Sequence, residues 1–187
     1  MDKAIFFWEW LPLPKAEFNI LAMLAEQGGS FSGNYSDICR YLGVTPQNRN
    51  RQAVRQSIES LSSKGFLTCE SRGRTQILTI IPKATEVELD KEWVRSVIKH
   101  DYSQEAVAWA QVLKVFIWVS RHCDELIQND MIAQDLGCCV STVVSAKNVL
   151  QREYENITKK PVSEKVGENH FRTLGQKLAA NAWWTKI

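Results

Sequence analysis

The side chains best equipped for recognition chemistry fall in one run. Between Pro46 and Lys64, Val54, Ile58 and Leu61 recur at steps of four and three, the spacing of a helix with one buried stripe, and Gly65 ends it. The remainder is almost wholly polar: Gln47, Asn48, Arg49, Asn50, Arg51, Gln52, Arg55 and Gln56. A guanidinium can donate two hydrogen bonds to the edge of guanine, and the amide of Asn or Gln can pair twice with adenine. Arg49, Asn50, Arg51, Gln52 and Arg55 are therefore the types that read base edges, each good contact discriminating by about 1–3 kcal/mol. A polar helix face on its own is only a solvated surface, so the neighbouring residues must decide.

The charge is sorted along the chain. The net charge of +2 is too small to name a partner, but Arg40, Arg49, Arg51, Arg55, Lys64, Arg72 and Arg74 face only Glu59 and Glu70 within their stretch. Residues 147–177 hold seven cations (Lys147, Arg152, Lys159, Lys160, Lys165, Arg172, Lys177) against four acids (Glu153, Glu155, Glu164, Glu168). Between them, residues 86–135 carry ten acidic and five basic residues. Cations gather in two places, as a polyanion-binding chain requires.

The elements that must position these residues follow from periodicity. Pro12 and Pro14 precede a first helix whose apolar residues are Phe18, Leu21, Ala22, Leu24 and Ala25, stopped by Gly28 and Gly29. A short helix over Ser36–Leu42, capped by Asn34 or Ser36 and closed by Gly43, leads into the polar helix at Pro46. Phe66–Glu70 and Gln76–Ile81 read as strands joined by Ser71, Arg72, Gly73 and Arg74. The acidic stretch Ala84–Asp90 reads as a linker, followed by helices over Lys91–His100, Ser103 to about Cys123, Asn129–Leu136 and Ser141 to about Tyr154. A hairpin within Ile157–Leu174 and a short terminal helix bearing Trp183 and Trp184 complete the chain. The second half thus repeats the order of the first without repeating its residues.

Ile132, Ala133, Leu136, Gly137, Thr142 and Val143 stand at the spacing of the bacterial helix-turn-helix pattern, and Ile38, Leu42, Gly43, Val44 and Thr45 match its beginning in the first half. The run Leu61, Ser62, Ser63, Lys64, Gly65, Phe66, Leu67 is similar to a recognition helix passing into a wing. Over residues 15–82 and 103–177 the chain resembles tandem winged helix-turn-helix proteins, the fold of bacterial transcriptional regulators and of plasmid and phage replication initiators. That resemblance implies a mainly α-helical protein with two units, each a three-helix core plus a hairpin. It divides the chain into residues 1–82 with an aromatic amino-terminal arm, an acidic linker and connecting helix over 83–102, and a second unit over 103–187. It implies sequence-specific binding of double-stranded DNA. Arg49, Asn50, Arg51, Gln52 and Arg55 would contact bases, and Lys64, Arg72 and Arg74 would hold phosphates. In the second unit, Thr142, Ser145, Lys147 and Asn148 would face DNA beside a wing with Lys159, Lys160, Lys165 and Arg172. A transcriptional regulator, a replication initiator and an adaptor that binds proteins through the same fold are the roles this leaves open.

Other chemistries find little purchase. The five cysteines (Cys39, Cys69, Cys123, Cys138, Cys139) match neither a disulfide framework nor a zinc pattern, which suits a reducing cytoplasm. Cys139 stands where a capping Ser is usual, and a helix amino terminus can lower a thiol pKa and make a redox-sensitive switch, although buried or half-buried inert thiols are the commoner case. His122 and Cys123 have no ligand partners at useful spacing, and neither a glycine-rich phosphate loop nor a nucleophile motif occurs, so no metal, cofactor or catalysis is expected. Glu9 interrupts the opening apolar run and no cleavage site follows, so export is not expected. Ala106–Val119 is too short and too interrupted to span a bilayer. Trp109 and Trp118 read as core, whereas Trp8, Trp10, Trp183 and Trp184 are expected to cover a domain junction or a homodimer contact.

Overall fold

The structure, a computed structural model, describes residues 2–122, 126–154, 157–167, 170–180 and 185–186; at Leu126 and beyond Tyr154 it describes the backbone only. The chain divides into two compact units, Met1–Val94 and Arg95–Ile187.

In the first unit, β1 (Lys3–Phe7) pairs antiparallel with β5 (Glu86–Asp90), so that Ala4 faces Leu89 and Phe6 faces Val87, all four buried. A 3-10 turn at Trp8–Trp10 follows β1 and delivers Trp10 into the core, edge-on to Phe6 at 5.8 Å and to Phe7 at 5.1 Å. Trp10 is fully buried, so it offers no surface to a homodimer partner. Trp8 is half-buried, and Trp183 and Trp184 lie outside the described residues.

Helix α1 (Lys15–Glu26) starts directly after Pro14 and is buried from Phe18 through Ala25 apart from Asn19. It leads through β2 (Ser30–Gly33) into α2 (Tyr35–Tyr41). Asn34 caps α2 by accepting from the backbone N–H groups of Ser36 and Asp37, while the Asp37 carboxylate accepts from the N–H of Asn34 at 2.9 Å. The polar helix α3 (Asn48–Ser63) buries Val54, Ile58 and Leu61 as their spacing requires. Strands β3 (Leu67–Arg72) and β4 (Thr75–Ile80) form the hairpin, with β2 added beside β4 to give the order β2-β4-β3. Arg72 pairs with Thr75, so only Gly73 and Arg74 form the loop, and Gly73 has the positive φ (64°) that such a tight turn needs.

The stretch read as a linker instead contains β5, whose Val87 and Leu89 alternate with Glu86 and Glu88 as a half-buried strand does. Asp90 then accepts from the N–H of Trp93 and opens α4 (Lys91–Lys99).

The second unit begins its core with α5 (Trp109–Arg121), six residues later than expected. It is buried along most of its length, although Trp109 itself is only half-buried. The indole N–H of Trp118 donates to Asp135 at 2.8 Å, tying α5 to α6 (Asn129–Leu136). Gly137, at φ 61°, takes the left-handed conformation that ends α6, and α7 (Val140–Glu153) starts after Cys139. β6 (Leu126–Ile127), β7 (Ile157–Gly167) and β8 (His170–Ala180) pair in the order β6-β8-β7. The hairpin runs six residues beyond its expected limit. The order helix, strand, helix, helix, hairpin is thus the same in both units, and so is the strand order in their sheets. The chain combines seven helices with small antiparallel sheets among the described residues, a more mixed composition than mainly α, because β1, β2 and β5 add to the hairpins.

Candidate nucleic-acid interface

Helix α3 turns out its stripe at Arg49, Gln52 and Gln56, three exposed residues separated by three and four positions and opposite Val54, Ile58 and Leu61. Arg49 has no ion-pair partner among the described residues. Gln56 belongs to this stripe although it was not singled out from the polar run; it stands four residues after Gln52, a spacing the sequence already contains.

The other residues assigned to base reading are placed differently. Asn50 is half-buried and donates its amide N–H to the carbonyl of Thr45 at 2.8 Å, so it fastens the turn between α2 and α3. Arg51 is half-buried because it stands three residues before Val54, on the side of the helix that packs; its guanidinium lies against Asn48 and reaches the Ser36 hydroxyl at 3.5 Å. Arg55 is exposed and pairs with Glu59 at 2.8 Å, an (i, i+4) surface pair of little energetic weight that is easily exchanged for an anion. Lys64 pairs with Glu17 at 2.8 Å, and that buried carboxylate also accepts from the Ser60 hydroxyl, so Lys64 serves to hold α3 against α1 rather than standing free for phosphate.

On the hairpin, Arg72 and Arg74 flank Gly73 and are exposed, Arg72 at 3.6 Å from Glu70 and Arg74 without an ion-pair partner among the described residues. Between α3 and this hairpin lies an open groove of about 680 Å³, lined by Tyr35, Arg55, Glu59, Cys69, Ser71 and Gln76 among others. Burial raises the Tyr35 phenol and the Cys69 thiol above their usual values, so both stay protonated at neutral pH. Gln76 is fixed at the floor by accepting from the Ser71 hydroxyl at 2.7 Å. One cation, one acid and several hydroxyl and amide groups make this groove a hydrogen-bonding surface.

In the second unit, Lys147 departs most from expectation. It is 2% exposed and donates to Asn129 Oδ1 at 2.6 Å, because it lies four residues after Val143 and three before Leu150, within the packed stripe of α7. It is removed from any surface. Thr142 and Ser145 are half-buried and Asn148 is exposed. The side chains of Lys159, Lys160, Lys165 and Arg172 lie outside the described residues; their backbone positions make Lys160 the register partner of Lys177 and Glu164 that of Arg172.

Cys139 stands at the N-cap position of α7 and is exposed rather than buried or half-buried, its sulfur 3.1 Å from the Ser141 hydroxyl and 3.0 Å from that of Thr142. Those hydroxyls, with the Thr142 backbone N–H, lower its pKa to about 7. Cys138 beside it is half-buried, and burial raises its pKa. His122 stacks on Trp118 at 3.8 Å, and Cys123 is outside the described residues. Among the described residues no group of three or more His, Cys, Asp or Glu side chains is arranged to hold a metal ion, and no helix is long and apolar enough to cross a membrane.

Compared with known proteins, the chain matches no protein-family model and no curated protein.

Proposed function

We propose that each unit is a winged helix-turn-helix and that the chain binds double-stranded DNA with sequence preference, without catalysis, as a transcriptional regulator. The observation that carries this reading is the exposed stripe of Arg49, Gln52 and Gln56 on a helix followed at once by a hairpin tipped with Arg72 and Arg74. An α-helix fits the major groove, where Arg reads guanine and Gln reads adenine, and a hairpin tip reaches the adjacent backbone or minor groove. In this arrangement Arg49, Gln52 and Gln56 read bases, while Arg55, Arg72 and Arg74 hold phosphates. Lys64, Asn50 and Arg51 set the orientation of α3, and Lys147 that of α7.

Two units of one topology in a single chain also suit a replication initiator, which would engage directly repeated sites at an origin, whereas a regulator engages a lone operator. The chromosomal or plasmid context of the selected site separates the two. An adaptor that binds only proteins is separated by salt: on duplex DNA, log affinity falls linearly with log salt at a slope of about −0.9 per phosphate neutralised. A titration of labelled duplex should give a slope corresponding to several phosphates. A flat response, or no duplex binding, would reject the reading.

A further inference from the structure

Counted from their first residues, Asn48 and Val140, the helices α3 and α7 share part of their buried face, although the eighth residue is the exposed Arg55 in one and the buried Lys147 in the other, and the fourteenth is the buried Leu61 and the exposed Glu153. The seventh is Val54 in one and Ala146 in the other, and the eleventh is Ile58 and Leu150, all buried. The fourth is the half-buried Arg51 in α3 and the buried Val143 in α7. Three outward positions correspond as well. The second, fifth and ninth residues are Arg49, Gln52 and Gln56 in α3, but Ser141, Val144 and Asn148 in α7, all exposed. Val140, one turn before Val144, is 44% exposed and Val144 is 38% exposed, so two β-branched apolar side chains stand outward where α3 carries polar ones.

Resting on the DNA-binding reading above, we propose that α7 reads thymine, with the exposed side chains of Val140 and Val144 packing against C5 methyl groups in the major groove. That methyl is the apolar feature a base pair displays there, and a side chain that contacts it distinguishes thymine from cytosine. Ser141, beside Val144, has a hydroxyl that can pair with a neighbouring base edge. The choice of DNA over another apolar partner comes from charge. The hairpin after α7 carries Lys159, Lys160, Lys165 and Arg172, so the segment that follows this apolar face is cationic, as a phosphate backbone on either side of the groove demands. The two helices thereby divide the labour: α3 reads purine edges by hydrogen bonding, and α7 reads methyl groups by contact.

The test uses the full chain. Duplexes are selected from a random pool, and the preferred duplex is resynthesised with deoxyuridine replacing thymidine at one position at a time, which removes only the methyl group. Each methyl under Val140 or Val144 should cost about fourfold in affinity. Val144→Ala should erase the effect at one position while leaving the salt slope and the melting curve unchanged, and Val144→Thr, which keeps a methyl, should retain part of it. Tight duplex binding indifferent to every such exchange overturns this assignment and leaves the DNA-binding reading standing. Sedimentation as a dimer that Val144→Ser dissolves, with no thymine effect, overturns it in favour of self-association. Failure to bind any duplex overturns both.

Discussion

The ammonium of Lys64 lies 2.8 Å from both carboxylate oxygens of Glu17, so the end of α3 is clamped to the first turn of α1. Each charge sits where its helix favours it, an acid near the amino end of α1 and a cation at the carboxyl end of α3. Glu17 is buried and keeps only the Ser60 hydroxyl if Lys64 is lost. Lys64→Met should therefore lower stability by about 1–3 kcal/mol in urea unfolding, while leaving the salt slope of duplex binding unchanged. A slope reduced by about 0.9, with stability intact, would return Lys64 to the phosphate contacts.

Lys114 is 5% exposed within α5, and burial lowers its pKa to about 8. The folded state then binds fewer protons than the unfolded chain between pH 8 and the ordinary lysine value. Stability must therefore rise with pH across that window. Lys114→Met should abolish this rise. Thermal unfolding at pH 7 and pH 10 measures it; an equal rise in the variant would refute the assignment.

Cys139 offers a pH signature of its own. With its pKa lowered to about 7, its thiolate fraction should increase through neutrality, two units below the range of an ordinary cysteine. Iodoacetamide labelling followed by peptide mapping should find Cys139 modified first, with a rate midpoint near pH 7, and Thr142→Val should shift that midpoint upward. A midpoint near 9 in the unaltered chain would contradict the geometry at the start of α7.

Much of this arrangement is legible in the residues. Asn34, one of the two caps expected, is the cap of α2, and the stripe of Val54, Ile58 and Leu61 locates α3 to within two residues at each end. The orientation of individual cations is harder to read, because charge suggests a surface while phase decides. Arg51 and Lys147 each lie three residues before a buried apolar residue, Val54 and Leu150, so the same spacing that placed the stripe also turned them toward it. Long alkyl stems let them lie there, with Ser36 and Asn129 receiving their polar ends. β5 shows the opposite error: its Glu86, Glu88 and Asp90 suggested a linker, while the alternation with Val87 and Leu89 already described a strand. β2 is four residues long, too short for a pattern to stand out from a loop, and pairing with β4 defines it.

The division between reading and holding residues is tested most directly by repeating the selection from random duplexes with the Arg49→Ala, Gln52→Ala double variant and, separately, with Arg72→Ala, Arg74→Ala. The first variant should lose its preference, with binding to the original duplex weakened by about 1–3 kcal/mol per base contact removed. The second keeps the preference and loses affinity evenly across sequences, with a shallower salt slope. An unchanged preference in the Arg49, Gln52 variant, with its fold intact by circular dichroism, would contradict the claim that the outward stripe of α3 meets the bases.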